Sequence, residues 1–380
     1  MEVTLSKQCL TVALTRTSGI ADRKSSMQIL SNVLISTEGP KQIRIAATDL
    51  NLSASGVFPA EVTKGGAITL PAKTFHDIVR SLPDGPVTLR VEGETVEITS
   101  GRSKFKLLGL PAEDFPRLPD AEGVEFFDLD SALIARMIDH TSFSISHDET
   151  RPHINGALFQ GDGKVLRMVT TDGHRLSKVE YKSEESGFFN FSMVISSKGI
   201  VEIKHLLDDG AGDVSLGAHE GSVFLRREIE VEKGGEGAPA QTAELVLVAK
   251  LIEAEFPPYD QVIPTGQDRR VMVPRVALLE ALRRVSVVSS ERTLGVRFQL
   301  GEGALDISTD NPAVGEGSEL VDIDYDDEEV VIGFNARYFI DVLGVLEDDE
   351  VNIELSGNLD PVVIKDPEDT FVGVIMPMRI

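Results

Sequence analysis

The sequence has 380 residues, 41% of them apolar, and its 62 Asp and Glu residues against 37 Lys and Arg give a net charge of -25. It has no run of about 18 apolar residues, and residues 1–5 lack the positive start and apolar core of a signal peptide, so we expect a cytoplasmic protein without a membrane-spanning segment. The single cysteine, Cys9, excludes an intrachain disulfide and a cysteine-rich metal site, and its apolar surroundings indicate a core position.

Six segments have the apolar periodicity of amphipathic helices. In chain order they are 6–17, 73–82, 131–142, 197–207, 274–285 and 336–346. Ser6, Ser131 and Ser197 occupy the expected N-cap positions of three helices, and Pro274 suits the first turn of a fourth.

The segments between the helices have the alternation of antiparallel strands. Residues 87–98 predict two short strands joined at Glu92, Gly93 and Glu94, and residues 351–355 predict a strand that pairs with 362–365. Such alternation places one face of a sheet on a core and the other in water. Helices packed on antiparallel sheet make an α+β layer, which is the fold class that we predict.

A Thr-Asp step recurs after three strand-like runs, and we expect each step to begin a tight polar turn. The three steps are Thr48-Asp49, Thr171-Asp172 and Thr309-Asp310. A second marker, the basic residue that opens a helix, recurs at Lys73, Lys198 and Arg337. The intervals are 123 and 138 residues for the first marker and 125 and 139 for the second. The chain therefore contains one two-helix unit three times, and we expect the charged residues 226–241 to form a solvated hairpin inserted in the longer interval.

Proline-containing runs mark the limits of the three units. Residues 115–120 (Phe-Pro-Arg-Leu-Pro-Asp) and 256–259 (Phe-Pro-Pro-Tyr) exclude both helix and central strand. At about 150 residues per domain the length allows two to three domains, and the repeat favours three. We predict domains at 1–121, 122–257 and 258–380.

The negative charge is unevenly distributed. The six helical segments contain 11 basic and 5 acidic residues, a net charge of +6, so the rest of the chain carries -31. A surface lined by helices would then be positive inside an acidic body, which suits a nucleic-acid partner. Alternatively, acid-rich loops and strands leave the helices basic by default. Charge alone does not decide between these two interpretations.

Four features together resemble a known family. They are residues 171–176 (Thr-Asp-Gly-His-Arg-Leu), residues 376–380 (Met-Pro-Met-Arg-Ile), residues 100–103 (Ser-Gly-Arg-Ser) and the two Phe-Pro runs. Over the whole chain they are similar to the bacterial DNA polymerase III β subunit, the sliding clamp. The resemblance implies three similar domains of the DNA clamp fold, each with two helices on antiparallel sheet, in a head-to-tail homodimeric ring.

The resemblance also implies a function without intrinsic catalysis and without a cofactor. The helices of the ring would surround double-stranded DNA, and the ring would slide without sequence specificity. Short peptides of the DNA polymerase III α subunit, the clamp loader and other proteins would bind in a cleft between the second and third domains. Tethering the polymerase in this way would confer processivity.

Matching to the family assigns residues to three surfaces. The peptide-binding cleft would be lined by Ile154, Thr171, Gly173, His174, Arg175, Leu176, Pro257, Val262, Pro361, Val374, Met376, Pro377, Met378, Arg379 and Ile380. Lys24 matches a DNA-contacting loop position of the family, and helix location alone adds Arg80, Arg136, Lys198 and Arg284. The dimer interface would join Phe105 and Leu107, on an edge strand, to Val287 and Val288 of the other chain. Gln261 departs from the family, which often has arginine there.

Two other functions remain open from the residues alone. A hydrolase would use His174 beside Asp172, although the sequence has neither a Walker-type loop nor a Gly-x-Ser-x-Gly elbow. The spacings of His140, His147 and His153 are not those of metal ligands, so we expect no metal site. A repeat scaffold that does not act on DNA would share the fold but would not thread onto duplex.

Overall fold

The computed structural model describes residues 1–182, 190–208, 212–232, 240–290 and 293–379. The chain folds as two compact units, one formed by Met1–Ala135 with Val201–Leu251 and the other by Arg136–Ile200 with Ile252–Ile380. Each unit contains two sheets, and all strand pairs within them are antiparallel. The predicted α+β class is confirmed.

The described residues form six α-helices, all at the predicted places. They are α1 Lys7–Thr17, α2 Ala72–Ser81, α3 Ser131–Thr141, α4 Ser197–Leu207, α5 Arg275–Val285 and α6 Ala336–Val345. Ser6 caps α1 as predicted, because its Oγ accepts a hydrogen bond from the Cys9 N–H at 3.0 Å. None of the helices in the described ranges is long and apolar enough to span a membrane.

The predicted caps of α3 and α4 are each wrong by one residue. Asp130 Oδ1 accepts from the Ala132 N–H at 2.7 Å, so Asp130 and not Ser131 caps α3. Ser196 Oγ accepts from the Gly199 N–H at 3.1 Å, so Ser196 and not Ser197 caps α4. In both cases two capping residue types are adjacent, and the one that ends the preceding strand takes the role because an N-cap needs extended backbone.

The same ranges contain 25 strands. In chain order they are β1 Glu2–Ser6, β2 Asn32–Thr37, β3 Gln42–Thr48, β4 Leu52–Pro59, β5 Glu61–Lys64, β6 Ala67–Pro71, β7 Pro86–Glu92, β8 Thr95–Ser100, β9 Ser103–Leu108, β10 Phe127–Asp130, β11 Gly156–Gly161, β12 Val165–Thr171, β13 Arg175–Lys182, β14 Phe191–Ser196, β15 Asp213–His219, β16 Ser222–Glu232, β17 Gln241–Lys250, β18 Arg269–Pro274, β19 Gly295–Gly301, β20 Ala304–Asn311, β21 Gly315–Asp322, β22 Val330–Asn335, β23 Glu350–Leu355, β24 Val362–Lys365 and β25 Phe371–Ile375.

The first unit contains a five-stranded sheet of order β5-β1-β7-β8-β9 and an eight-stranded sheet of order β10-β15-β16-β17-β4-β3-β2-β6. The second unit contains an eight-stranded sheet of order β14-β11-β12-β13-β25-β24-β23-β18 and a four-stranded sheet of order β21-β20-β19-β22. The two predicted strand pairs are confirmed as β7 with β8 and β23 with β24.

The large sheet of each unit joins strands from two repeats. In the first unit β4 pairs with β17, with Val57 opposite Glu244, and in the second unit β13 pairs with β25, with Leu176 opposite Val374. The middle repeat contributes to both large sheets and is therefore divided between the two units, within α3 and within α4. The domain limits near residues 121 and 257 stay a prediction.

The first Thr-Asp step forms the expected turn, between β3 and β4. Thr48 Oγ1 donates to the Leu52 carbonyl at 2.8 Å. Asp49 Oδ1 accepts from the N–H groups of Asn51 at 2.9 Å and Leu52 at 2.6 Å. Leu50 lies between them with φ 77°, a left-handed conformation that costs a non-glycine residue about 1–2 kcal/mol.

The prediction is wrong for the third Thr-Asp step. Thr309 and Asp310 lie within β20, and Asp310 pairs with Glu316 across the β20–β21 ladder. The turn comes later because Asn311 Oδ1 accepts from the Ala313 N–H at 3.2 Å and so supplies the turn-forming side chain.

The predicted inserted hairpin corresponds to the paired strands β16 and β17, with residues 233–239 outside the described ranges. One of its faces is not solvated, which corrects the prediction. Ile229 and Val231 are buried, and the buried Arg227 donates from its guanidinium to the Leu206 carbonyl at 2.7 Å. The alternation of charged and apolar residues in β16 therefore places one face of the hairpin on the core.

Cys9 is buried on α1, as predicted. Burial, and then the nearby Glu232 carboxylate, raise the pKa of its thiol to about 12. In the second unit, the rings of Phe298 and Phe334 lie 4.7 and 5.0 Å from that of Phe339 and pack β19 and β22 against α6.

His140 on α3 makes the stability of the fold depend on pH. Burial, and then Arg136, lower the pKa of its imidazole. The unfolded chain therefore takes up a proton near pH 6.5 that the folded chain resists, so stability present above that pH falls as the solution is acidified. We expect the loss of melting temperature between pH 7.5 and 5.5 to be smaller in His140→Gln than in wild type. Replacing the exposed His147 should leave the loss unchanged, and equal losses in all three proteins would contradict this assignment.

Candidate functional site

The loop between β12 and β13 holds itself in shape. Thr171 Oγ1 donates to the Arg175 carbonyl at 2.6 Å. Asp172 Oδ1 accepts from the N–H groups of His174 at 2.9 Å and Arg175 at 3.0 Å. Equivalent atoms make the same hydrogen bonds in the Thr48 turn, so the first two repeats share the hydrogen bonding of this turn as well as its sequence. These hydrogen bonds within the loop define its backbone conformation.

Gly173 occupies the position that Leu50 holds in the first repeat. Its φ of 89° is left-handed, and a Cβ there would lie 3.2 Å from Arg151 Nη1. Glycine thus allows Arg151 to approach the loop backbone closely. Arg151 is itself held by Asp148, with Nε 2.8 Å from Oδ2. The sequence interpretation did not include Arg151 in this site.

The last described residues run beside this loop. The Met376 N–H donates to the His174 carbonyl at 2.9 Å, and the Met378 N–H donates to the Gly333 carbonyl at 2.8 Å. Met376 and Arg379 are exposed, whereas Pro377 and Met378 are partly buried. The structure therefore brings two of the four features that carry the resemblance, residues 171–176 and the run that begins at Met376, into contact. Ile380, also predicted to line the cleft, lies outside the described residues.

The remaining predicted cleft residues divide into a buried and an accessible set. Leu176 and Val374 are buried in one apolar cluster with Phe256 and Tyr259, and Ile154 is also buried. The accessible apolar members are the exposed Val262 and the partly buried Pro257 and Pro361. The buried residues support the surface from below, so a ligand would meet mainly the prolines, the valine and the methionines. Their contact with a peptide stays a prediction.

Arg175 is the most heavily engaged residue of the site. Its Nε donates to Asp172 Oδ2 at 3.0 Å, its Nη1 donates to Asp341 Oδ2 at 2.7 Å, and its Nη2 donates to the Phe143 carbonyl. The guanidinium also lies 4.6 Å from the centre of the Tyr338 ring, a cation–π contact. Burial, and then Asp172, raise the pKa of the Tyr338 phenol.

Asp341 and Tyr338 were missed in the sequence. They lie on α6, more than 160 residues from Arg175, and local patterning cannot reveal such a pair. The repeat offered one signal, because the interval of 139 residues between Lys198 and Arg337 also relates Glu202 to Asp341. An acidic residue therefore recurs four positions after the basic residue that opens each of these helices.

The described ranges contain no group of three or more His, Cys, Asp or Glu side chains arranged to hold a metal ion. His174 is exposed, and the Asp172 carboxylate accepts hydrogen bonds from its own loop and from Arg175. Asp172 thus has a structural role in the loop, and the geometry gives the hydrolase interpretation no support.

All the predicted DNA-contacting residues are exposed: Lys24, Arg80, Arg136, Lys198 and Arg284. Arg284 is the weakest choice, because its Nε donates to Glu319 Oε2 at 2.9 Å and its charge is already balanced. Arg275 is a structural residue, since it donates to the carbonyls of Asp348 at 2.6 Å and Leu343 at 2.9 Å. The net charge of the helices therefore overstates the positive charge that is accessible to DNA.

One candidate for the dimer interface is an edge of the first unit. β9 is the last strand of the five-stranded sheet, as predicted. Phe105 on this strand is exposed and Leu107 is partly buried. Leu108, which the prediction did not include, is 75% exposed. Lys104 and Lys106 give the strand a positive charge, although Glu97 on β8 partly balances Lys104, with 2.7 Å between Nζ and Oε2.

The other candidate is an edge of the second unit. β21 is the last strand of the four-stranded sheet. Val287, just beyond α5, is 78% exposed, whereas Val288 packs near β21, since a Cβ on Gly317 would lie 2.9 Å from its Cγ2. Leu320 on β21 is 67% exposed and was also missed. Glu316 and Asp322 make this edge acidic.

The repeated two-helix, antiparallel-sheet unit defines a protein of the DNA clamp class, and the comparisons agree. Family models of the DNA polymerase III β subunit match residues 1–119 (N-terminal domain), 128–258 (central domain) and 260–379 (C-terminal domain). The β sliding clamps of Pseudomonas aeruginosa and Escherichia coli are 34% and 32% identical over 383 residues, with all of each chain covered.

Solved structures of the same class superpose on the whole chain. The crystal structure of the DNA polymerase III β subunit from Pseudomonas aeruginosa has a TM-score of 0.90 at 32% identity, and each chain is covered completely. A sliding clamp from Bartonella birtlesii bound to griselimycin has a TM-score of 0.89 at 34% identity, again with complete coverage. The chain belongs to the DNA polymerase III β subunit family, and the sliding-clamp role in DNA replication follows from that membership.

The requirement for glycine at the left-handed position 173 can be tested by substitutions at Gly173 and at its counterpart in the first repeat, Leu50. Gly173→Ala should lower stability by about 1 kcal/mol, because alanine disfavours this φ and its Cβ would crowd Arg151. Leu50→Gly should not lower the melting temperature, since glycine relieves the same strain in the first repeat. Calorimetric melting of both variants checks this, and a Gly173→Ala protein that melts like wild type would contradict the role of the glycine.

Proposed function

We propose that the chain forms a homodimeric ring that encircles double-stranded DNA and slides along it without sequence specificity. The ring tethers the DNA polymerase III α subunit, the clamp loader and other proteins to the duplex. A tethered polymerase meets the primer end at high effective concentration, and processivity follows. The observation that carries the proposal is the presence, on a chain of this family, of two unpaired sheet edges with exposed apolar side chains and opposite charge.

These edges suit a head-to-tail joint. An exposed edge strand offers unpaired backbone groups to another strand, and β9 of one copy would add to β21 of the next. Lys104 and Lys106 would then face the edge that carries Glu316 and Asp322. Exposed charge pairs add little affinity, but they disfavour pairing of two like edges and so set the polarity of the joint. Two equivalent joints close a ring of two chains.

The contacts with DNA would be weak and confined to phosphates. Lys24, Arg80, Arg136 and Lys198 are exposed and carry the charge that such contacts need. Arg284 would contribute less because Glu319 already balances it. The acidic remainder of the chain would repel duplex from other surfaces. Retention would then depend on closure of the ring and not on the strength of binding.

The loop of residues 171–175 and the chain end would form the peptide-binding cleft. The exposed Val262 and Met376 and the partly buried Met378 offer apolar contacts above the buried cluster of Leu176 and Val374. The flexible thioethers of methionine adapt to different apolar side chains, which suits a site shared by several partners. The family relative bound to griselimycin supports ligand binding by clamps of this class.

Three further parts of the proposal rest on the family. The clamp domains span 1–121, 122–257 and 258–380, close to the ranges that the family models match. The protein acts without intrinsic catalysis, as a processivity subunit whose relatives are sliding clamps. It works in the cytoplasm, where replication takes place in bacteria.

Topological binding can be separated from electrostatic binding. The protein is loaded by a cognate clamp loader onto nicked circular DNA, and the complex is isolated by gel filtration in about 0.5 M salt, which weakens phosphate contacts strongly. We expect the protein to stay with the circle, because a closed ring cannot leave it. Cutting the circle once with a restriction enzyme should release the protein at the same salt concentration.

Two results would contradict the ring. Protein that stays on the linear product is held by direct binding and not by encirclement. Protein that is never retained on the circle, although the loader is active on a clamp from a relative, would favour a scaffold that does not act on DNA.

A further inference from the structure

Asp341 on α6 holds two arginines at once. Its Oδ2 lies 2.7 Å from Arg175 Nη1, and its Oδ1 lies 2.8 Å from Arg337 Nε. The Arg175 and Asp341 side chains are only 11% and 13% exposed, whereas Arg337 is 63% exposed. The inner pair is therefore largely removed from water, and the outer pair is solvated. Loss of the inner pair has the larger consequence, because it would leave the enclosed Arg175 cation without one of its two carboxylate partners.

The first repeat shows that the loop folds without this ion pair. The loop of residues 48–52 makes the same hydrogen bonds as that of residues 171–175, but the position of Arg175 is taken there by the buried Leu52. The counterpart of Asp341 is Glu202, which lies near His205, with 3.5 Å between Oε2 and Nδ1. The arginine–aspartate pair is thus an addition at the loop that contacts the chain end.

The pair ties that loop to α6 beside the proposed cleft. Asp172 accepts a hydrogen bond from Nε of the Arg175 guanidinium, Asp341 accepts one from Nη1, and the Tyr338 ring lies against the guanidinium. The neighbouring His174 carbonyl accepts the Met376 N–H. A movement of Arg175 would therefore shift the backbone that positions the accessible methionine.

We propose that Asp341 is a positioning residue for peptide binding, acting through Arg175. The inference rests on the proposed function of the cleft. Asp341 does not need to touch the peptide, since its effect is to hold the loop and the chain end in the binding geometry before the ligand arrives. Preorganisation of this kind raises affinity by removing the cost of ordering the site on binding.

Loss of the Asp341 carboxylate and loss of the exposed Arg337 should affect binding differently. Asp341→Asn removes the carboxylate charge, leaves Arg175 with Asp172 alone, and should weaken binding about tenfold. Arg337→Gln removes the exposed second partner of Asp341 and leaves the contact between Asp341 and Arg175 in place. Binding should then be as tight as in wild type or about twofold tighter, because an exposed pair contributes little by itself. A purely structural role for this ion-pair cluster would weaken binding in both variants.

The test is isothermal titration of the full-length protein with griselimycin, the ligand held by the Bartonella birtlesii relative. The proteins are wild type, Asp341→Asn, Asp341→Glu, Arg337→Gln, Arg175→Gln and the matched control Glu202→Gln at the equivalent position on α4 of the middle repeat. We expect Glu202→Gln to bind like wild type and Asp341→Glu to recover part of the affinity that Asp341→Asn loses. Melting temperatures are measured alongside to separate folding from binding.

A double variant keeps the test decisive if Asp341→Asn folds poorly. The double variant Arg175→Gln, Asp341→Asn removes the Arg175 cation together with the Asp341 carboxylate. The destabilising effect of an enclosed arginine that has lost a carboxylate partner is thereby avoided. The double variant should bind griselimycin as weakly as Arg175→Gln alone, since the second change acts only through the first residue. Wild-type affinity in a folded Asp341→Asn protein, or additive losses in the double variant, would overturn the inference. If wild type itself does not bind, the proposed cleft fails and the role of Asp341 fails with it, whereas binding by wild type without any loss in Asp341→Asn overturns only the role of Asp341.

Discussion

The proposed assembly depends on two edge strands, β9 of the five-stranded sheet in the first unit and β21 of the four-stranded sheet in the second. A free edge strand invites pairing with another chain, and proteins usually cover it or charge it against association. Here the edges carry exposed Leu108, Val287 and Leu320, and their charges have opposite signs. The same charges would oppose pairing of two like edges and would favour pairing of one edge with the other, as the proposed head-to-tail joint requires.

The proposed ring is also compatible with the negative net charge of the chain. Encirclement needs no strong grip on DNA, so a few exposed lysines and arginines suffice on a protein with a net charge of -25. Part of the positive charge of the helices is used internally, by Arg275 on backbone carbonyls and by Arg284 on Glu319. In the proposed function, specific recognition is instead concentrated at the loop after β12, where the predicted ligand contacts are mainly apolar.

Much of the fold could be predicted from the sequence because it repeats a simple pattern. Helical periodicity located all six helices, and the Thr48 and Thr171 turns share their hydrogen bonds as the repeat implied. The errors arose where adjacent residues compete for one role. Asp130 and Ser196 took the caps assigned to Ser131 and Ser197, and Asn311 moved the third turn. At the candidate site, the loop and the chain end were predicted together, but Asp341 was not, since ion pairs between distant segments leave no local pattern.

The mass of the protein in solution tests the closed ring most directly. Light scattering at micromolar concentration should give wild type near twice 41.2 kDa. Val287→Lys with Leu320→Lys places positive charge on the edge that would meet Lys104 and Lys106, so this variant should be a monomer. Val276→Lys, an exposed change on α5 outside the edge, should remain a dimer. A monomeric wild type, or a double variant with the mass of a dimer, would contradict the joint between β9 and β21.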